Sequence, residues 1–246
     1  MAVGDSQTEG VGDPYPDGSA RGWADRFAGE LNGQQPGLMY ANLAVRGRRI
    51  AQIEEEQLQP ALDLKPDLVS LIAGLNDAIR PGFDLDMTIN HMDRMQAAFR
   101  EAGATVMTIT YPDPDGVAPI GRLLQGRTFE FNQALREVAG KNGALLLDLE
   151  TTPITTDPRI WCPDRLHLNS EGHRRLAIGM ESLIGIDREQ WMTALPPMRG
   201  IHPLQHLARD LRWAGKFFAP WIGRRLTGRS SGDGRIAKRP DLTPLK

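Results

Sequence analysis

The chain has 246 residues, 40% apolar and 24% charged, with a net charge of −2. That composition is globular, and the length fits one α/β domain of ordinary size with an extension. It excludes a disordered chain, and no apolar run approaches the ~18–20 residues needed to span a bilayer.

Short apolar runs alternate with longer amphipathic stretches. The runs are Met1–Val3, Leu38–Leu43, Leu68–Ala73, Thr105–Thr110 and Ala144–Leu149. Between and after them, helices are predicted at about 20–32, 48–63, 85–102, 127–142 and 170–185. In the third of these, Ile89, Met92, Met95, Gln96 and Phe99 fall at helical spacing, and Gly103 stands at the expected stop. The strand runs are apolar almost throughout, as strands covered on both faces should be. Five strands alternating with helices imply a parallel sheet wound by right-handed crossovers. The first strand has only three residues before Gly4, which is short for a central position. Either it is truncated or the true start lies upstream.

Charge divides the chain. Residues 199–246 hold 11 Lys/Arg against 3 Asp/Glu, which leaves 18 against 28 for the rest. The boundary is expected near Leu195-Pro196-Pro197, giving a domain over 1–195 and a tail over 196–246. From Leu204, the apolar residues Leu207, Leu211, Ala214, Phe218 and Ile222 alternate with Arg209, Arg212 and Lys216, the pattern of a basic amphipathic helix. Gly223–Lys246 reads as loosely ordered. The helix is expected to pack on its own acidic domain or on a second subunit. The other reading is peripheral attachment to an anionic membrane through residues 201–226. His202 and His206 are i,i+4 neighbours that could hold a metal, but no third ligand is evident. The single cysteine, Cys162, can form no internal disulfide. With no visible secretory signal at the start, a cytoplasmic protein is expected.

The chemistry centres on Gly4-Asp5-Ser6, where an apolar run delivers a serine to a strand end. A serine becomes a nucleophile when a positioned base takes its proton and donors await the oxyanion. Among five histidines, His167 stands out because Asp164, three residues earlier in a proline-rich loop, can reach its Nδ1 and leave Nε2 facing the serine. His91 is expected on a helix surface and His173 in a structural role. Gly47, after the second run, can offer an unobstructed N–H, and Asn76, after the third, a side-chain amide. With the N–H of Ser6, three donors come from three successive strand ends. Gly-x-Ser-x-Gly, the α/β-hydrolase elbow, is absent, since Thr8 stands where its second glycine belongs.

These blocks resemble the SGNH, or GDSL-type, hydrolases over roughly residues 1–185. Gly4-Asp5-Ser6 matches the first block, Gly47 the second, Gly74-x-Asn76-Asp77 the third and Asp164-x-x-His167 the last. Gln7 stands where that family commonly has leucine, a change expected to be tolerated. The resemblance implies a flavodoxin-like α/β/α fold with a five-stranded parallel sheet, plus the basic helical extension. It implies Ser6, Asp164 and His167 as catalytic residues, with Ser6, Gly47 and Asn76 as the oxyanion hole. It also implies hydrolysis of carboxylic esters or thioesters through an acyl-serine, without metal or organic cofactor. A small-molecule or lipid ester is the expected partner, and no nucleic acid. Loops Val11–Arg21, Tyr111–Gly126 and Thr151–Pro163 should wall the site, with Tyr15, Tyr111 and Trp161 as candidate substrate contacts. An acyltransferase using the same acyl-enzyme, or a non-catalytic binding module on this fold, are the alternatives.

Overall fold

Every predicted apolar run becomes a strand. In this computed structural model, which describes residues 1–186, 189–197, 203–227 and 229–245, the strands are β1 (Ala2–Gly4), β2 (Met39–Asn42), β3 (Leu68–Ile72), β4 (Thr105–Ile109) and β5 (Leu145–Leu147). All five are parallel, in the order β5-β4-β3-β1-β2. The chain winds one way from β1 to β2 and the other way through β3 to β5. The sheet order therefore reverses at the carboxyl end of β1, where open α/β sheets form their crevice.

The helices follow the predicted periodicity. They are α1 (Ser6–Glu9), α2 (Gly22–Gln34), α3 (Ile50–Ile53), α4 (Gln59–Asp63), α5 (Leu75–Ala78), α6 (Leu85–Glu101), α7 (Gly121–Asn142) and α8 (Ser170–Ser182). A π-helical turn, Glu54–Leu58, joins α3 to α4. Helices α2 and α8 pack together, as do α6 and α7, the two pairs sandwiching the sheet. Met92, Met95 and Phe99 of α6 are fully buried, as the spacing predicted, and so are Phe131 and Leu135 of α7. Each such side chain removed from water contributes roughly 1.5–3 kcal/mol. Helix α7 starts six residues before the expected position, so part of the second wall loop, Tyr111–Gly126, is helical.

The tail departs most from expectation. Helices α9 (Pro203–Trp213) and α10 (Ala219–Leu226), joined by a π-helical turn at Ala214–Phe218, occupy the expected helical segment, and α10 runs on through Gly223–Leu226, where loose order was expected. Beyond them, Arg239–Pro244 is not loosely ordered. It forms β6, antiparallel to β2, and extends the sheet to six strands. Its prolines obscured it in the sequence, yet proline is tolerated on an edge strand such as this one. Two basic residues anchor it: Lys238 Nζ pairs with Asp25 at 2.8 Å, and the Arg239 guanidinium lies over the Tyr40 ring. The basic tail is thus tied to the acidic body it follows. His202 lies outside the described residues, so the metal pair with His206 is not described.

His173 ties the α8 layer to the amino-terminal segment. Its Nδ1 accepts the Trp23 N–H at 3.1 Å, and its Nε2–H donates to the Val11 carbonyl at 3.0 Å. Complete burial lowers its pKa to about 4. The unfolded chain, at the ordinary 6.5, binds the extra proton between those values, so stability falls as pH drops from 6.5 toward 4. Between about pH 7.5 and about pH 4.5, the wild type should lose about 2 kcal/mol of unfolding free energy relative to His173→Gln, read by urea denaturation. A stability gap that does not change with pH would contradict a buried neutral ring.

Candidate active site

Backbone geometry at the end of β1 fixes the serine. Gly4 has φ +154°, and a Cβ there would collide with the Ile72 carbonyl and the Thr8 side chain, so glycine is required. Gln57, buried in the π-helical turn, clamps the same residue twice. Its Oε1 accepts the Gly4 N–H and its Nε2 donates to the Gly4 carbonyl, each at 2.9 Å. Asp5 then caps α1 by accepting the Gln7 N–H at 3.3 Å, which places Ser6 as the first residue of that helix. Burial pushes the Asp5 carboxyl up to about 6, against the hydrogen bonds it accepts from Gln7 and Asn76.

The partner loop is equally constrained. His167 Nδ1 meets Asp164 Oδ2 at 2.7 Å, while Asp164 Oδ1 accepts the Leu166 and His167 N–H groups at 3.0 and 3.1 Å. Burial opposes ionisation of Asp164, but these bonds hold its carboxyl below the ordinary range. The contact assigns the proton to Nδ1 and leaves Nε2 as the free acceptor. Arg165 adopts φ +56° at the tip of the turn, and the His167 carbonyl accepts the Cys162 N–H at 2.8 Å, closing it.

Ser6, Gly47, Asn76, Asp164 and His167 all line one cavity of about 350 Å³. Gly47 has φ +78° and receives the tail loop, because Ser230 and Ser231 sit where its Cβ would be. Asn76 Nδ2 donates to Asp5 Oδ2 at 3.0 Å and to the Arg48 carbonyl at 3.2 Å. Tyr111 and Trp161 also line the cavity, and both polar ends are tied to backbone: Tyr111 OH to Ala73, Trp161 Nε1 to Thr155. They present rings, not polar groups. Tyr15 is not brought to the site. Its hydroxyl donates to Asp25 and Arg21 covers its ring, because the loop after α1 folds back over α2. Burial pushes the Cys162 thiol up to about 11, which rules out a ready thiolate. His91, on α6, pairs with Glu54 of the π-helical turn, away from the cavity.

Two contributions escaped the sequence reading. The first is Gln7, whose Nε2 donates to the Leu166 carbonyl at 2.9 Å and whose Oε1 accepts the Leu168 N–H at 3.4 Å. One amide therefore grips the backbone on both sides of His167 from the residue after Ser6. Only its departure from leucine marked it in the sequence. The second is the tail: Trp213, Phe217, Phe218 and Trp221 line the same cavity. Four aromatic residues within nine positions of an otherwise basic helix were the available signal.

The fold and this arrangement define a serine hydrolase. Residues 2–175 match the GDSL-like Lipase/Acylhydrolase family, and the chain belongs to it. It is 24% identical over 210 residues to an acetylxylan esterase from Geobacillus stearothermophilus, covering 76% of this chain and 94% of that one. A solved structure of Axe2, an acetyl xylan esterase from the same organism, superposes with a TM-score of 0.65 at 19% identity, covering 76% of this chain and 94% of that one. LAE5, an enzyme from the metagenome of Lake Arreo, gives 0.64 at 19% identity over 75% and 94%. The protein is a hydrolase acting on carboxylic esters.

The Gln7 clasp can be broken with little change of volume. Gln7→Leu removes two hydrogen bonds worth about 1 kcal/mol each, so kcat should fall roughly tenfold with KM nearly unchanged and the fold intact by circular dichroism. An unaltered kcat would show that His167 is positioned without it.

Proposed function

We propose that Ser6 is the nucleophile of this ester hydrolase, with His167 as its base and Asp164 as the carboxylate that orients the imidazole. The supporting observation is that the Asp164–His167 pair and Ser6, about 160 residues apart in the sequence, open into one cavity. Ser6 Oγ attacks the ester carbonyl and passes its proton to His167 Nε2. The tetrahedral intermediate collapses as that proton moves to the leaving alcohol or thiol. Water then attacks the acyl-serine with His167 again taking a proton, and the acid is released with Ser6 restored.

The N–H groups of Ser6 and Gly47 are the proposed oxyanion donors. Asn76 joins them by giving up its longer bond, the one to the Arg48 carbonyl, for the developing charge. Substrates in this reading are small or lipid-like carboxylic esters and thioesters, and the relatives named above include acetylxylan esterases. A cytoplasmic location belongs to the proposal and rests on the unpaired Cys162. Among the described residues, no helix is long and apolar enough to cross a membrane.

The outer side of α9 leaves Leu204, Leu207 and Leu211 exposed. Attachment of segment 201–226 to an anionic membrane is therefore kept as a second reading. Sedimentation with phosphatidylserine vesicles tests it: salt-sensitive binding supports attachment, and none at low salt removes it. For the principal reading, Ser6→Ala should lower p-nitrophenyl ester turnover by on the order of 10⁴–10⁶. Wild-type turnover in that variant would refute it.

A further inference from the structure

We infer that the carboxy-terminal extension is the roof of an acyl pocket, selecting esters whose acyl part is an apolar chain or aryl group much larger than acetyl. This rests on the reading of Ser6 as nucleophile. The extension lies beyond residue 175, where the family match ends, so the roof is a feature of this chain's own tail.

The roof is fixed to the reactive loop. Trp213 Nε1 donates to the Asp164 carbonyl at 2.7 Å, and Asp210 pairs with Arg165 at 2.7 Å, beside which the guanidinium covers the Trp213 ring. From there, stacked rings run outward. Trp213 and Phe218 centroids are 5.5 Å apart, and Phe218 and Trp221 centroids 6.0 Å, with planes tilted by 21° and 14°. The π-helical turn between α9 and α10 carries Phe217 and Phe218 to the cavity. Downstream, Gly232 seats against the Arg46 carbonyl and β6 joins the sheet, so the roof is held at both ends.

Opposite the roof, the buried side chains Ile109, Leu149, Ile154 and Leu176 form an aliphatic floor. Many of the polar side chains that line the cavity are already engaged, Thr128, Arg224 and Ser231 being exceptions. Arg175 binds Glu171 and the Trp191 and Thr193 carbonyls, Arg46 binds Glu9, and Thr155 Oγ1 donates to the Leu149 carbonyl. Few donors are left for the hydroxyls of a sugar, whereas a hydrocarbon needs none. Size points the same way. A dry cavity of ~150 Å³ takes up benzene, so the 350 Å³ here suits an acyl group of roughly eight to twelve carbons. An acetyl group would leave most of it empty.

The test holds the leaving group constant and varies the acyl chain. Initial rates on p-nitrophenyl acetate, butyrate, octanoate and dodecanoate should give a kcat/KM for octanoate about tenfold or more above that for acetate, as buried methylenes add binding. In Phe217→Ala/Trp221→Ala, the octanoate-to-acetate ratio should fall about tenfold, while Leu207→Ala on the outer face should leave it unchanged. Should the double variant fail to fold, inhibition of the wild type by octylboronic acid against methylboronic acid reads the same pocket, and the longer acid should bind about tenfold tighter or more. Acetate preferred over octanoate, a ratio unmoved by the double variant, or equal inhibition by the two boronic acids would overturn the inference. Those outcomes leave Ser6 in place. Full turnover of both esters by Ser6→Ala would instead remove the reading beneath it.

Discussion

The structure depends on a turn that only glycine can make. Strand β1 has three residues in which to reach the middle of the sheet and then release a serine into the crevice. Gly4 does so at φ +154°, pressed against the Ile72 carbonyl, and Gln57 satisfies both of its backbone groups at once. Without those two bonds a buried N–H would stand unpaired, at roughly 1–3 kcal/mol, and the carbonyl would keep only the longer bond from the Val45 N–H at 3.3 Å. The shortness of β1 is compensated by a side chain from the turn between α3 and α4. That is why the π-helical turn there has a purpose: it presents Gln57, which is 2% exposed, to the strand end.

A second amide performs the matching task across the cavity. Gln7 and His167 are 160 positions apart, and Gln7 bonds the residues on either side of the histidine. Together, Gln57 and Gln7 convert a strand end and a carboxy-terminal loop into one rigid unit. Asp5 lies inside that unit, only 3% exposed, and that burial pushes its carboxyl up to about 6.

Much of this was legible in the sequence, because it rested on local pattern. The five parallel strands followed from continuous apolar runs, and α6 from Ile89, Met92, Met95 and Phe99 at helical spacing. The meeting of Ser6, Gly47, Asn76, Asp164 and His167 followed from their places at strand ends. What was not legible depended on partners distant in sequence. Strand β6 carries Pro240 and Pro244 and gains its order from β2 and from Lys238 on Asp25, neither of which its own residues announce. Tyr15 looked like a wall of the site because its loop follows Ser6, yet Asp25 and Arg21 draw it aside. The tail read as an appendage because its charge contrasts with the body. That contrast is part of what binds it there.

In the proposed reading, residues inside the family match supply the reactive groups, and aromatic side chains of a segment outside it line the same cavity. The central claim remains the identity of the nucleophile, and covalent labelling tests it most directly. Treatment with an alkyl fluorophosphonate followed by peptide mass mapping should place one phosphonyl group on Ser6 and abolish ester turnover in proportion to labelling. Inactivation with the adduct on any other residue would contradict the account.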